Sequence, residues 1–101
     1  MIVAFSVAPS GGESDSVSEA VAAAVRVVRE SGLPHETSSM FTSIEGEWDE
    51  VMDVVKRATE AAGHYGSRVS LVLKADIRPG WTGQMDAKVA RVEEHLSSWQ
   101  D

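Results

Sequence analysis

Apolar positions recur along the chain with two different periods. From Ile2 to Ala8 they alternate, with Val3, Phe5 and Val7 on one side and Ile2, Ala4 and Ser6 on the other, as in a strand with one heavily buried face. Pro9, Ser10, Gly11 and Gly12 end that run. The period then lengthens to that of a helix through Val17, Ala20, Val21, Ala24, Val25 and Val28. Ser16 and Glu19 have the spacing of a capping box, so this helix is expected to begin near Ser16; Ser31, Gly32 and Pro34 stop it. Two short β-tolerant runs follow, His35 to Met40 and Thr42 to Glu47, and read as a hairpin that turns near Met40 and Phe41. Trp48, Val51, Met52, Val55, Ala58 and Ala62 mark a second amphipathic helix, with Asp49 and Glu50 placed in its first turn to complement the helix dipole. Gly63 and Gly66 flank its end. The longest strand is expected over Val69 to Ile77, with Val69, Leu71, Leu73, Ala75 and Ile77 on one face and Ser70, Val72, Lys74 and Asp76 on the other. Pro79 and Gly80 break it, and a third helix is expected over Gly83 to Ser98.

The resulting order, β-α-β-β-α-β-α, contains in its first six elements the split βαβ pattern of ferredoxin-like folds. The expected architecture is therefore α+β, within the broad α/β class: a βαββαβ sandwich whose four-stranded antiparallel sheet carries two helices on one face, plus a C-terminal helix. Residues 1–101 are expected to form one domain. Phe5, Val21, Val25, Val55, Leu71 and Leu73 are expected to be nearly fully buried. Ile2, Ala4, Ser6, Ser70, Val72, Lys74 and Asp76 fall on the uncovered face, which carries less charge than a solvated face would. Its simplest cover is the same face of a second copy. Met85, Val89, Val92, Leu96 and Trp99 form a narrow seam on the third helix, suited to helix pairing, to closing over a sheet edge, or to packing on its own domain.

Composition narrows the function. Sixteen Asp and Glu against nine Lys and Arg give a formal net charge of −7. Such a surface repels phosphates and argues against nucleic acid, while weakly favouring cationic partners. No apolar run approaches the roughly 18 residues of a membrane span, and the start lacks the pattern of a signal peptide. There is no cysteine, which excludes disulfides and thiolate metal sites and makes the cytoplasm the expected location. His35, His64 and His95 have no metal-ligand spacing, so no metal is expected. Ser10-Gly11-Gly12 lacks the lysine of a phosphate loop and reads as a plain turn.

Two clusters could carry chemistry. Thr42-Ser43-Ile44-Glu45-Gly46-Glu47-Trp48 sets two carboxylates and an indole at a strand-to-helix junction. Gly46 is expected to let the backbone bend between those carboxylates. In the second cluster Lys74, Asp76 and Arg78 alternate on one strand and are expected on the uncovered face. There they either pair across a subunit interface or bind a polar ligand. Neither cluster supplies an obvious nucleophile, so no catalytic residue is assigned.

Several segments together resemble a known family. They are Ile2-Val3-Ala4-Phe5-Ser6-Val7 with Pro9, Ser16-Val17-Ser18, the run from Met40 to Met52 with its Thr42-x-x-Glu45-Gly46-Glu47 core, Val55-Lys56, Arg68-Val69, Lys74-Ala75-Asp76-Ile77-Arg78, Lys88-Val89 and Val92-Glu93. The chain resembles the small prokaryotic thiamine-binding proteins over nearly its whole length. That resemblance implies a ferredoxin-like fold, a homotetramer built from dimers, and binding of thiamine or its hydroxymethylpyrimidine moiety without catalysis or cofactor. It departs from the family pattern at His35, Ser39 and Ile77, where an aromatic, a proline and often an aspartate are usual. An aminopyrimidine needs acceptors and a donor, a flat ring needs an apolar wall, and a thiazolium gains from carboxylates or an indole face. Ser6, Ser38, Thr42, Glu45, Glu47, Lys74 and Asp76 are candidates for the polar contacts, and Met40 and Trp48 for the walls. The ligand is expected where the first strand, the hairpin and the last strand converge, near a subunit interface. Two other functions remain open: a ligand-sensing regulatory module acting through oligomerisation, and a small enzyme with Glu45 or Asp76 as base. Carboxylates paired to Lys and Arg across an interface favour binding; a carboxylate alone in an apolar cleft favours the enzyme.

Overall fold

The computed structural model describes residues 1–12 and 17–99. The expected capping residue Ser16 lies outside the described residues. The elements run β1 (Ile2–Ser10), α1 (Val17–Glu30), β2 (His35–Thr37), β3 (Thr42–Glu45), α2 (Trp48–Gly63), β4 (Arg68–Asp76) and α3 (Gln84–Ser98). The strands form one antiparallel sheet in the order β2-β3-β1-β4. This is the ferredoxin-like α+β arrangement, with α1 and α2 on one face.

Register decides which side chains meet. Phe5 pairs with Thr42 and Leu73, and Val3 with Ile44 and Ala75, so these residues share the helix-covered face. Val3, Phe5, Val7 and Ile44 are buried there against Val28 of α1 and Val51, Val54 and Val55 of α2. Alanines at one-turn spacing, Ala20 and Ala24 on α1 and Ala58 and Ala62 on α2, are also buried and let the two helices lie close.

Several burial expectations need correction. Leu71 pairs with Val7 and so faces the helices, yet it is 43% exposed, and Leu73 is only partly buried. The parity is right, but β4 is an edge strand and the helices do not reach over its outer side. Val21 is 38% exposed and Val25 half-buried, because α1 turns its alanines and Val28 inward instead. The hairpin turn spans Ser38 to Phe41, closed by the Ser38 N–H and hydroxyl on the Phe41 carbonyl at 2.9 and 3.0 Å, so β2 stops at Thr37. Gly46 has no left-handed backbone. A methyl group there would instead press on Val51 and Leu33 at 3.1 and 3.4 Å, so the glycine serves packing. Gly12 and Gly66 mark a close approach of the β1 end to the α2–β4 turn, where the Ser67 N–H donates to the Ser10 carbonyl at 3.0 Å.

α3 departs furthest from a packed layer. Every residue from Lys88 to Trp99 is exposed. The seam residues Val89, Val92, Leu96 and Trp99 face outward and neither cover the sheet edge nor pack on the domain. The molecule measures 55 × 31 × 20 Å as a result.

Candidate functional site

The last residue of β3, Glu45, pairs in register with Ile2 and so points to the uncovered face, in the row that also holds Asp76. Its N–H donates to the Pro34 carbonyl at 2.9 Å, fixing β3 to the α1–β2 connection. Its side chain is 6% exposed, and both carboxylate oxygens are engaged. The Gln84 N–H donates to Oε2 at 2.7 Å and the Met85 N–H to Oε1 at 3.2 Å. Gly83, the residue before α3, has φ +64° and no side chain with which to cap the helix. Glu45 therefore supplies α3 with its N-terminal acceptor from another element.

Asp76 makes the second tie, an ion pair to Lys88 one turn into α3. The Lys88 hydrogen bond and charge, helped by Arg78 and Lys74, hold the Asp76 carboxyl below the usual carboxylate range. Arg78 lies beyond the end of β4, not on its uncovered face, and its guanidinium stacks 3.3 Å from the centroid of the Trp81 ring.

A carboxylate whose folded pKa is depressed stabilises the fold above its unfolded pKa, and that contribution disappears as pH falls through the folded value. The Asp76–Lys88 tie is therefore expected to be intact at neutral pH and to loosen as pH falls below about 4. Amide exchange around Lys88 followed from pH 6 to pH 3, corrected for intrinsic rates and compared with Asp76→Asn, checks this; unchanged protection would contradict it.

These ties bend residues 81–86 over the strand ends and enclose a cleft of about 480 Å³, within the usual range of small-molecule sites. Five carboxylates line it: Glu36, Glu45, Glu47, Glu50 and Asp86. Leu33, Pro34, Trp81 and Met85 provide its apolar walls. Glu50 also accepts the Glu47 N–H at 3.3 Å, as the returning half of a capping box on α2. Among the described residues no three His, Asp or Glu gather closely enough to hold a metal ion.

The residues singled out from sequence do not form one constellation. Glu45 and Glu47 line the cleft, and Asp76 borders it through a small adjoining cavity shared with Glu45, Arg78 and Lys88. Ser6, Ser38, Met40 and Thr42 instead line a separate cavity of about 120 Å³ between the hairpin turn and α1. Thr42 lies on the helix-covered face, three residues or roughly 10 Å along β3 from Glu45. Lys74 stands on the uncovered face opposite Ala4, and Trp48, 54% exposed at the start of α2, lines neither cavity. Glu36, Glu50, Trp81, Met85 and Asp86, which also line the cleft, were not among the site residues singled out from sequence. The available signal was Trp81, a large aromatic just after the Pro79-Gly80 break.

Fold and site together define a class: a ferredoxin-like α+β domain with an acidic, indole-walled cleft at one end of its sheet. The chain belongs to the thiamine-binding protein family, whose model matches residues 3–93. It is 55% identical over 97 residues to UPF0045 protein Mb1933 of Mycobacterium bovis, covering 95% of this chain and 94% of that one. A domain of unknown function from Bacillus cereus superposes with a TM-score of 0.79 at 37% identity, covering 87% and 85% of the two chains. A Thermotoga maritima protein proposed for thiamine biosynthesis or salvage superposes with a TM-score of 0.77 at 26% identity, covering 90% and 96%. No helix among the described residues is long and apolar enough to cross a membrane.

Proposed function

We propose that this chain binds thiamine or its hydroxymethylpyrimidine moiety without catalysing a reaction, as a carrier or store for salvage or transport, and that the acidic cleft receives it. The cleft carries the reading: five carboxylates surround an opening walled by an indole and a thioether. A thiazolium is a flat, delocalised cation and is favoured by that field and that wall. Family membership points to the same ligand. The state of the carboxylates supports binding over acid–base chemistry, since Glu45 is held by two backbone N–H groups and Asp76 by Lys88. Cytoplasmic location and the absence of nucleic-acid and membrane partners belong to the same proposal, resting on the cysteine-free, acidic composition and the lack of a long apolar run.

Titration calorimetry tests it. Wild type is expected to bind thiamine saturably and more weakly as salt rises. Trp81→Ala is expected to lose about 0.5–2 kcal/mol, the range of a cation–aromatic contact. Thr42→Val, which removes a hydroxyl from the hairpin cavity, is expected to leave affinity unchanged. The opposite pattern would move the ligand to the hairpin cavity, and no saturable heat in the wild type would end the proposal.

A further inference from the structure

We infer that Glu45 is a positioning residue: it does not reach the ligand, but holds the far wall of the cleft in place and so fixes the direction of α3. The inference rests on the cleft being the binding site. Four observations carry it. Both Glu45 oxygens are already spent on Gln84 and Met85 N–H groups, leaving it less able to meet a ligand than Glu36 or Glu47 on the same wall. Gly83 cannot cap α3 in cis. Beyond Ala87 the helix buries no residue against its own chain, so within one chain its placement depends on its first turn and the exposed Lys88–Asp76 pair. Trp81, Met85 and Asp86, which line the cleft on the α3 side, include or lie within three residues of the two N–H groups that Glu45 holds.

The geometry makes the effect long-ranged. A 15-residue helix is about 22 Å long, so a tilt of about 10° at its first turn carries the far end roughly 4 Å. The seam of Val89, Val92 and Leu96 moves with it. Cleft occupancy and seam orientation thereby share one element, and whatever steadies one steadies the other.

The test compares Glu45→Gln with Glu36→Gln in the full chain. Each removes one negative charge from the same cleft, but only the first disturbs α3, because a glutamine amide turns N–H donors toward a backbone N–H. Without ligand, amide exchange at Gln84 and Met85 is expected to quicken about 10- to 100-fold in Glu45→Gln, the equivalent of a hydrogen bond to a charged group, and to stay unchanged in Glu36→Gln. Thiamine affinity is expected to fall at least ten-fold further in Glu45→Gln than in Glu36→Gln. Equal affinities in the two single variants, or unchanged exchange in Glu45→Gln, would overturn the inference. Absence of thiamine binding in the wild type would instead overturn the cleft reading, leaving ligand-free exchange and Trp81 emission, read with Trp48 and Trp99 changed to Phe, to decide the hold on α3.

Discussion

Phe5→Ala is expected to destabilise the fold by about 3–5 kcal/mol, the range for truncating a buried aromatic. Phe5 is 2% exposed at the centre of β1, between Thr42 and Leu73 in register, and is the single aromatic among the buried core residues described. A domain of this size is held by about 5–15 kcal/mol in all, so the variant would be close to unfolding. Urea denaturation measures the loss, and Ile44→Val provides a graded companion at about 0.5–1.5 kcal/mol if Phe5→Ala does not fold. Leu71→Ala is expected to cost clearly less than Phe5→Ala in the isolated chain. A loss near zero for Phe5→Ala would mean that the sheet–helix interface is not the stabilising core.

Val92→Asp and Val72→Asp are each expected to convert a homo-oligomer, proposed as a tetramer, into smaller species. The accessible surface is 6958 Å², against about 5,500 Å² for a compact monomer of this mass. The radius of gyration is 15.7 Å, against about 13 Å for 100 residues. The excess is apolar where it matters: Val92 is 57% and Val72 55% exposed, on the α3 seam and the uncovered sheet face. A second copy presenting the same surfaces would cover both. An uncompensated buried aspartate then costs on the order of 3–5 kcal/mol per copy, enough to dissociate a micromolar assembly. Light scattering at micromolar concentration decides; a wild type that is only monomeric would refute the expectation.

The alternation in β1 and the helical spacing of α1 and α2 were enough to give the element order, because each element buries one face and its period records it. Exposure on β4 was not legible, since alternation tells which side a residue faces but not whether a helix reaches over an edge strand. Glu45 stood out because it belongs to the Thr42-x-x-Glu45-Gly46-Glu47 cluster at a strand-to-helix junction. That its partner would be the N-terminus of α3, about 40 residues later, depends on how residues 77–83 turn, and no periodicity encodes that turn. Ser6 and Thr42 were grouped with Glu45 and Asp76 because the fold was expected to bring their segments together, whereas the register puts Thr42 at the other end of β3 from Glu45, and Ser6 opposite Val72, four residues along β4 from Asp76.

The closely spaced alanines of α1 and α2 have a thermodynamic consequence. An interior built from Ala20, Ala24, Ala58 and Ala62, with valines at most of the remaining positions, has very few side-chain torsions to freeze. Alanine loses no rotamer entropy on burial, and a valine has a single stiff torsion, so ordering this core costs little compared with one rich in leucine or methionine. A small chain can then reach useful stability with a modest buried area. Fluctuation should concentrate outside that interior, leaving the amides of β1 and the inward faces of α1 and α2 the slowest to exchange.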